Sequence, residues 1–159
     1  MTIDVSYSVY GMSQATDREC WITAITVMVN WRQSAAYSPA QVAEGAGKTI
    51  DQVQDTEGWS GLYAIANHYG IESLGYTPAD PDAWAQAMAN GPLWIVTTGT
   101  PSHAVVLHAM AGDGSPDGTN VTVTDSWGGV LTKTWQELMS DFGAQSGAMS
   151  GEAQIMYFR

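Results

Sequence analysis

The sequence predicts an α+β fold, with helices in its first half and an antiparallel sheet in its second. Three observations carry this. From Cys20 to Gly91 apolar residues recur at helical spacing between recognisable caps. From Leu93 to Asp125 the pattern changes to runs of β-branched and aromatic residues broken by Gly, Pro and Asp. The 159 residues, 45% of them hydrophobic, suffice for a sizeable core, and residues 1–159 read as a single domain. Grouped helices followed by grouped strands give α+β rather than the alternation of a parallel α/β fold.

Residues 1–13 alternate loosely around Gly11 and read as a short strand or extended arm. A helix is expected from Cys20 to about Gln33, with Asp17 as N-cap and Arg18 and Glu19 entering its first turn. Ile22, Ile25, Val29 and Ala36 share one face, while Ala24, Val27, Met28 and Trp31 extend the apolar surface nearly all round, so this helix should be buried. "SPAQVAEGAG" starts a second helix with Ser38 as cap and Pro39 at its first position. "GWSGLYAIANHYG" gives a third, closed by Gly70; "DPDAWAQAMANG" gives a fourth, with Asp80 as cap, Pro81 first and Gly91 at the end. "PLWIVTTG", "SHAVVLHAMAG" and "NVTVTDSW" then read as strands, "TWQELMSDFG" as a helix and "AQIMYFR" as a closing strand.

Five Lys and Arg against sixteen Asp and Glu give a net charge of −11. Such a chain is ill suited to nucleic acid or to anionic membranes, and would attract a basic partner. The single cysteine allows no internal disulfide, which suits a reducing compartment. "MTIDVSYSVYG" has no basic segment followed by an apolar core and does not read as a secretory signal. No apolar run is long enough for a membrane span, so no membrane insertion is expected. One cysteine and three histidines without clustered spacing give no zinc site, and no cofactor or metal is expected.

The lone Cys20 stands directly before an apolar helix. A helix start lowers a thiol's pKa through its unpaired N–H groups and its dipole, which suits a nucleophile. A base must accompany it. His68 lies in a helical segment, where a surface or C-terminal cap role is expected. His103 and His108 share a strand and, five positions apart, point to opposite faces, so one alone can meet the thiol. His103 follows the turn "GTPS" and can reach a cleft; His108, among Leu107, Ala109 and Met110, reads as a packed core histidine. Asp125 at the end of "NVTVTD" would orient the base, its charge matched by that partner, or would merely start the Ser-Trp-Gly-Gly turn. Gln14, six residues before Cys20, would join the Cys20 N–H as a donor to an oxyanion. In "EGWSGL", Gly58 and Trp59 are candidates for a cleft-lining, substrate-binding loop, or form an ordinary helix start.

Gln14–Trp21 (Q-x5-C-W), "SHAVVLHAMAGDG" at 102–114 and "TDSWGG" at 124–129 resemble, in that order, the motifs of the papain-like cysteine protease superfamily. The resemblance covers about residues 12–135 and is nearest to compact bacterial forms, namely double-glycine leader peptidases and secreted effector proteases. It implies a papain-like fold with the catalytic helix against the sheet. It also implies that Cys20 is the nucleophile, His103 the base and then the acid, Asp125 its orienter, and Gln14 with the Cys20 amide the oxyanion donors. Trp127 would shield the His103–Asp125 pair, or simply pack in the core. Asp125 stands where plant and animal relatives have Asn.

The expected function is therefore cysteine-type endopeptidase chemistry on a protein or peptide substrate through an acyl-thioester. A bacterial effector or interbacterial toxin would have an inhibitory immunity protein as partner; it would be cytoplasmic or delivered by a specialised secretion system. The alternatives are a leader-peptide maturation peptidase, a peptidoglycan amidase or endopeptidase, and an inactive papain-like binding module. In the amidases, small residues rather than Trp usually follow the cysteine.

Overall fold

In a computed structural model, which describes residues 2–97, 103–127, 129–143 and 155–159, helices pack on both faces of a seven-stranded sheet. The strands are β1 (Ile3–Ser6), β2 (Ile71–Ser73), β3 (Leu93–Thr97), β4 (His103–Gly112), β5 (Thr119–Asp125), β6 (Gly129–Thr134) and β7 (Ile155–Phe158). They run in the order β2-β7-β3-β4-β5-β6, with β1 added to β4, and every pairing is antiparallel. The helices are α1 (Cys20–Gln33), α2 (Pro39–Gly45), α3 (Ile50–Gln52), α4 (Trp59–His68), α5 (Pro81–Ala87) and α6 (Trp135–Gly143); a π-helical turn, Val53–Glu57, joins α3 to α4.

Alternation along β3 and β4 explains why the sheet is apolar on both faces. Trp94, Val96, Ala104 and Val106 pack with α1, whose residues from Ile22 to Val29 are all buried. Leu93, Ile95, Val105 and Leu107 face the other way, onto Trp84 and Met88 near α5 and onto Trp135 and Leu138 of α6. Burying α1 all round is the outcome its sequence predicts.

The N-caps of α2 and α5 fall where expected, but α5 ends at Ala87 with Met88 as its C-cap, short of the expected Gly91. Ser38 and Gln41 form a reciprocal capping box before Pro39, and Asp80 Oδ1 accepts from Ala83 N–H ahead of Pro81.

Three local expectations are corrected. Asp17 does not cap α1: a turn closed by Glu19 N–H on Thr16 O comes first, and Glu19 is the cap residue because its carbonyl accepts from Thr23 N–H. Arg18 and Glu19 thus belong to this turn, not to the helix. Ala36 is exposed and off the buried face, since left-handed Ser34 (φ 51°) ends the helix. The helices do not all precede the strands. β1 and β2 lie in the first half, and β2 reaches the sheet by pairing with the distant β7. The expected "GTPS" turn lies outside the described residues.

Candidate active site

Cys20 is the first residue of α1, and no side chain caps that helix. Its leading N–H groups are therefore available to other acceptors. The start of α1 meets one end of the sheet, where β4 begins with His103 and β5 ends with Asp125. Antiparallel pairing of β4 with β5, with Val106 opposite Thr124, brings those two termini together.

His103 Nε2 lies 2.6 Å from Asp125 Oδ1. The same carboxylate oxygen accepts the Trp127 N–H at 2.8 Å, so Asp125 holds the imidazole and also builds the turn after β5. Cys20 and His103 share the wall of one cavity, and each acts on the other's proton affinity. Burial pushes the Cys20 thiol up, but the His103 hydrogen bond and charge, with the backbone N–H groups of Ala104 and Trp21, outweigh it and hold its pKa below the ordinary value. The His103 pKa is raised, first by its hydrogen bond with Cys20, against burial, and further by the hydrogen bond and charge of Asp125. Lowering the thiol and raising the imidazole both favour a thiolate–imidazolium pair.

Cys20 and His103 line a cavity of about 350 Å³, with Trp21, Trp59, Leu62, Trp94 and Val96 giving it apolar walls. Gly58, Val53 and Gln54 also line it, so the loop at 57–62 is at once a cleft wall and the start of α4. Gly58 adopts φ 59°, ψ −134°, a backbone region that side chains avoid. Trp94 Nε1–H donates to Trp21 O at 3.1 Å, tying the cavity wall to the helix start.

Gln14 is nearly buried, at 9% exposure, and does not line the cavity. Its Oε1 accepts the Ser126 hydroxyl, and its Nε2 donates to Thr16 O at 2.6 Å. One amide proton faces the loop before Cys20, and the amide has a second. Trp127 is 60% exposed, so core packing does not describe it; its ring lies 6.4 Å from that of His103. His108 is set apart from the cavity. Nδ1 faces Tyr7 O at 3.0 Å and Nε2 faces Thr124 Oγ1 at 2.9 Å, at a bulge between Leu107 and Ala109 that also breaks the simple alternation. Burial lowers the His108 pKa. His68 is an exposed residue at the end of α4.

The sequence reading missed Ser126, Trp94 and Gln54. Ser126 stood in "TDSWGG" and needed only its contact with Gln14 to be recognised. Trp94 and Gln54 come from separate elements, and no local pattern relates either to Cys20.

Among the described residues no group of three or more His, Cys, Asp or Glu could hold a metal ion, and no helix is long and apolar enough to cross a membrane.

No curated protein matches the chain. Among solved structures, a double-glycine motif protease from an AMS/PCAT transporter, in complex with the leader peptide, superposes with a TM-score of 0.58 at 18% identity, over 99% of this chain and 97% of that one. The peptidase domain of Streptococcus ComA, a bi-functional ABC transporter involved in a quorum-sensing pathway, also gives 0.58, at 17% identity and 96% of both chains. These likenesses establish the fold, helices on an antiparallel sheet as in double-glycine peptidases. Residues 1–145 match the family described as papain-like cysteine protease AvrRpt2. The match spans most of the 159 residues, and the chain belongs to that papain-like cysteine protease family.

Proposed function

We propose that the chain is a cysteine endopeptidase in which Cys20, His103 and Asp125 act as a catalytic triad. The observation that carries this reading is that Cys20 and His103 line one apolar cavity while His103 pairs with Asp125 at 2.6 Å. The Cys20 thiolate attacks the scissile carbonyl carbon, and the carbonyl oxygen becomes an oxyanion. The Cys20 N–H and the second amide proton of Gln14 stabilise it. His103 gives its proton to the leaving amine as the C–N bond breaks, leaving an acyl-thioester. It then takes a proton from water, whose oxygen attacks the thioester carbonyl; the C–S bond breaks, releasing the acid and restoring the Cys20 thiolate beside the His103 imidazolium. Asp125 holds the imidazole throughout, and Trp127 screens the His103–Asp125 pair from one side. Gly58 and Trp59 bind the substrate chain.

The proteolytic test compares wild type with Cys20→Ala on a cell lysate, reading new peptide N-termini by mass spectrometry. New N-termini that depend on Cys20 are expected; identical sets from the two proteins would overturn the reading.

A second reading, maturation of leader peptides, is favoured by the structural neighbour bound to a leader peptide. Cleavage directly after paired glycines in that experiment would select it. Cleavage elsewhere, together with a tight inhibitory partner, would select a delivered effector or toxin.

A further inference from the structure

Two glutamines grip the short loop that delivers Cys20 to the start of α1. Gln14 donates to the carbonyl of Thr16. Gln54, from the π-helical turn, donates its Nε2 proton to the carbonyl of Arg18 at 2.7 Å. The peptide joining Arg18 to Glu19 is thereby fixed at both ends, because its N–H donates to Thr16 O at 3.3 Å. The next peptide carries the Cys20 N–H. Its carbonyl, on Glu19, is taken by Thr23 N–H at 3.0 Å, while the Cys20 N–H, at the first helical position, has no acceptor within the helix. The direction of that N–H is thus set by the held peptide before it and the helix after it.

Arg18 answers with Nη2–H to Gln54 O at 3.3 Å and pairs with Asp55 at 3.5 Å. Both side chains of that ion pair are mostly exposed, at 63% and 61%, so the pair adds little. The amide-to-carbonyl bond of Gln54 is the firmer hold. Gln54 also lines the cavity of Cys20 and His103, so one side chain joins the cleft wall to the loop. A π-helical turn at a cleft is a common mark of a functional position.

We propose that Gln54 is a positioning residue, which holds the Arg18–Glu19 peptide so that the Cys20 N–H faces the developing oxyanion. This rests on the peptidase reading above.

The test uses Gln54→Leu, which keeps the size and removes the donor, and Gln54→Glu, which keeps the shape. A carboxylate cannot donate to the Arg18 carbonyl, whereas a protonated carboxyl can. The substrate is a fluorogenic peptide built on a site that wild type cleaves in the lysate experiment. Gln54→Leu is expected to lower kcat about tenfold, the scale of one lost hydrogen bond, with KM and the pH midpoint of Cys20 alkylation unchanged. Gln54→Glu should match that loss at neutral pH. Its activity relative to wild type should recover as pH falls toward the carboxyl range near about 4.3, a recovery that a merely structural role would not produce. Unchanged kcat in Gln54→Leu, a rise in KM alone, or a flat Gln54→Glu ratio across pH would each overturn the inference while leaving the peptidase reading intact. Should Gln54→Leu fail to fold, the Gln54→Glu ratio decides. Absence of Cys20-dependent turnover in wild type would overturn both.

Discussion

Cys20 and His103 shift each other's proton affinity in opposite directions, and this sets the pH window of the site. As pH falls through the depressed Cys20 pKa, the thiolate takes a proton, and in the proposed mechanism the nucleophile is lost. As pH rises through the raised His103 pKa, the imidazolium loses the proton that the proposed mechanism gives to the leaving amine. A bell-shaped pH–rate profile is expected, its acid limb below the ordinary thiol range and its alkaline limb above the ordinary imidazole value. The two strand histidines should part company on substitution. His103→Ala should abolish turnover with little change in melting temperature. His108→Ala should retain turnover and lose roughly 1–3 kcal/mol in denaturant unfolding, because Tyr7 O and the Thr124 hydroxyl lose their partner. Gln14→Ala should slow turnover about 100- to 1,000-fold if its amide binds the oxyanion, with alkylation of Cys20 nearly unchanged. Equal slowing of both would mean that Gln14 only holds the loop through Thr16. Asp125→Asn should keep part of the activity and Asp125→Ala much less, measured as kcat on one peptide. Cys20, His103 and Asp125 were legible as candidates because each type is costly or rare in its setting: a lone thiol at a helix start, a histidine at a strand start, a carboxylate in a β-branched strand. Gln54 was not, since its contact with Arg18 joins positions 36 residues apart.

The starts of α2 and α5 were readable to the residue because their N-caps are local, whereas α5 ends at Ala87 and not at Gly91. Ser38 with Gln41, and Asp80 with Pro81, satisfy backbone groups within four residues. Ser38→Ala should therefore cost about 1 kcal/mol in urea unfolding, with the m-value unchanged. The elements that escaped reading depend on distant partners. β2 is three residues long and becomes a strand only against β7. β6 carries the exposed Val130 and Leu131 and no alternating pattern; its identity comes from its ladder with β5. The start of α1 at Cys20 was read correctly, but its N-cap was placed at Asp17 instead of Glu19, because the Thr16–Glu19 turn that precedes the helix was not foreseen. Between α5 and β3, Gly91 has φ 150°, and a Cβ there would lie 2.6 Å from Trp31 Cζ3 and 2.7 Å from Phe158 Cδ2. Gly91→Ala should lower the melting temperature more than Ser38→Ala does, since strain and a clash with two packed rings act together. Equal melting temperatures would show that the rings can yield.

Over the whole molecule, charge and the lone thiol dominate. With a net charge of −11, encounter with a basic substrate should be steered. For a peptide flanked by lysines, kcat/KM should exceed that of its glutamate-flanked counterpart, and the ratio should shrink as salt is raised from about 0.01 to 1 M, where the screening length falls from about 30 to 3 Å. A ratio insensitive to salt would place the preference in local contacts. The α+β class was legible from the change of periodicity near Leu93; the two-faced burial of the sheet was not, because alternating apolar residues on β3 and β4 look the same in sequence whichever face each helix covers. The single cysteine makes one measurement decisive for the thiolate–imidazolium pair. Intact mass spectrometry of the folded chain during iodoacetamide treatment reports Cys20 alone, across pH, for wild type and His103→Ala. Wild type should alkylate with a midpoint below the free-thiol value of about 8.5, and His103→Ala should return toward it. A wild-type profile that superimposes on that of free cysteine would contradict the ion pair on which the mechanism stands.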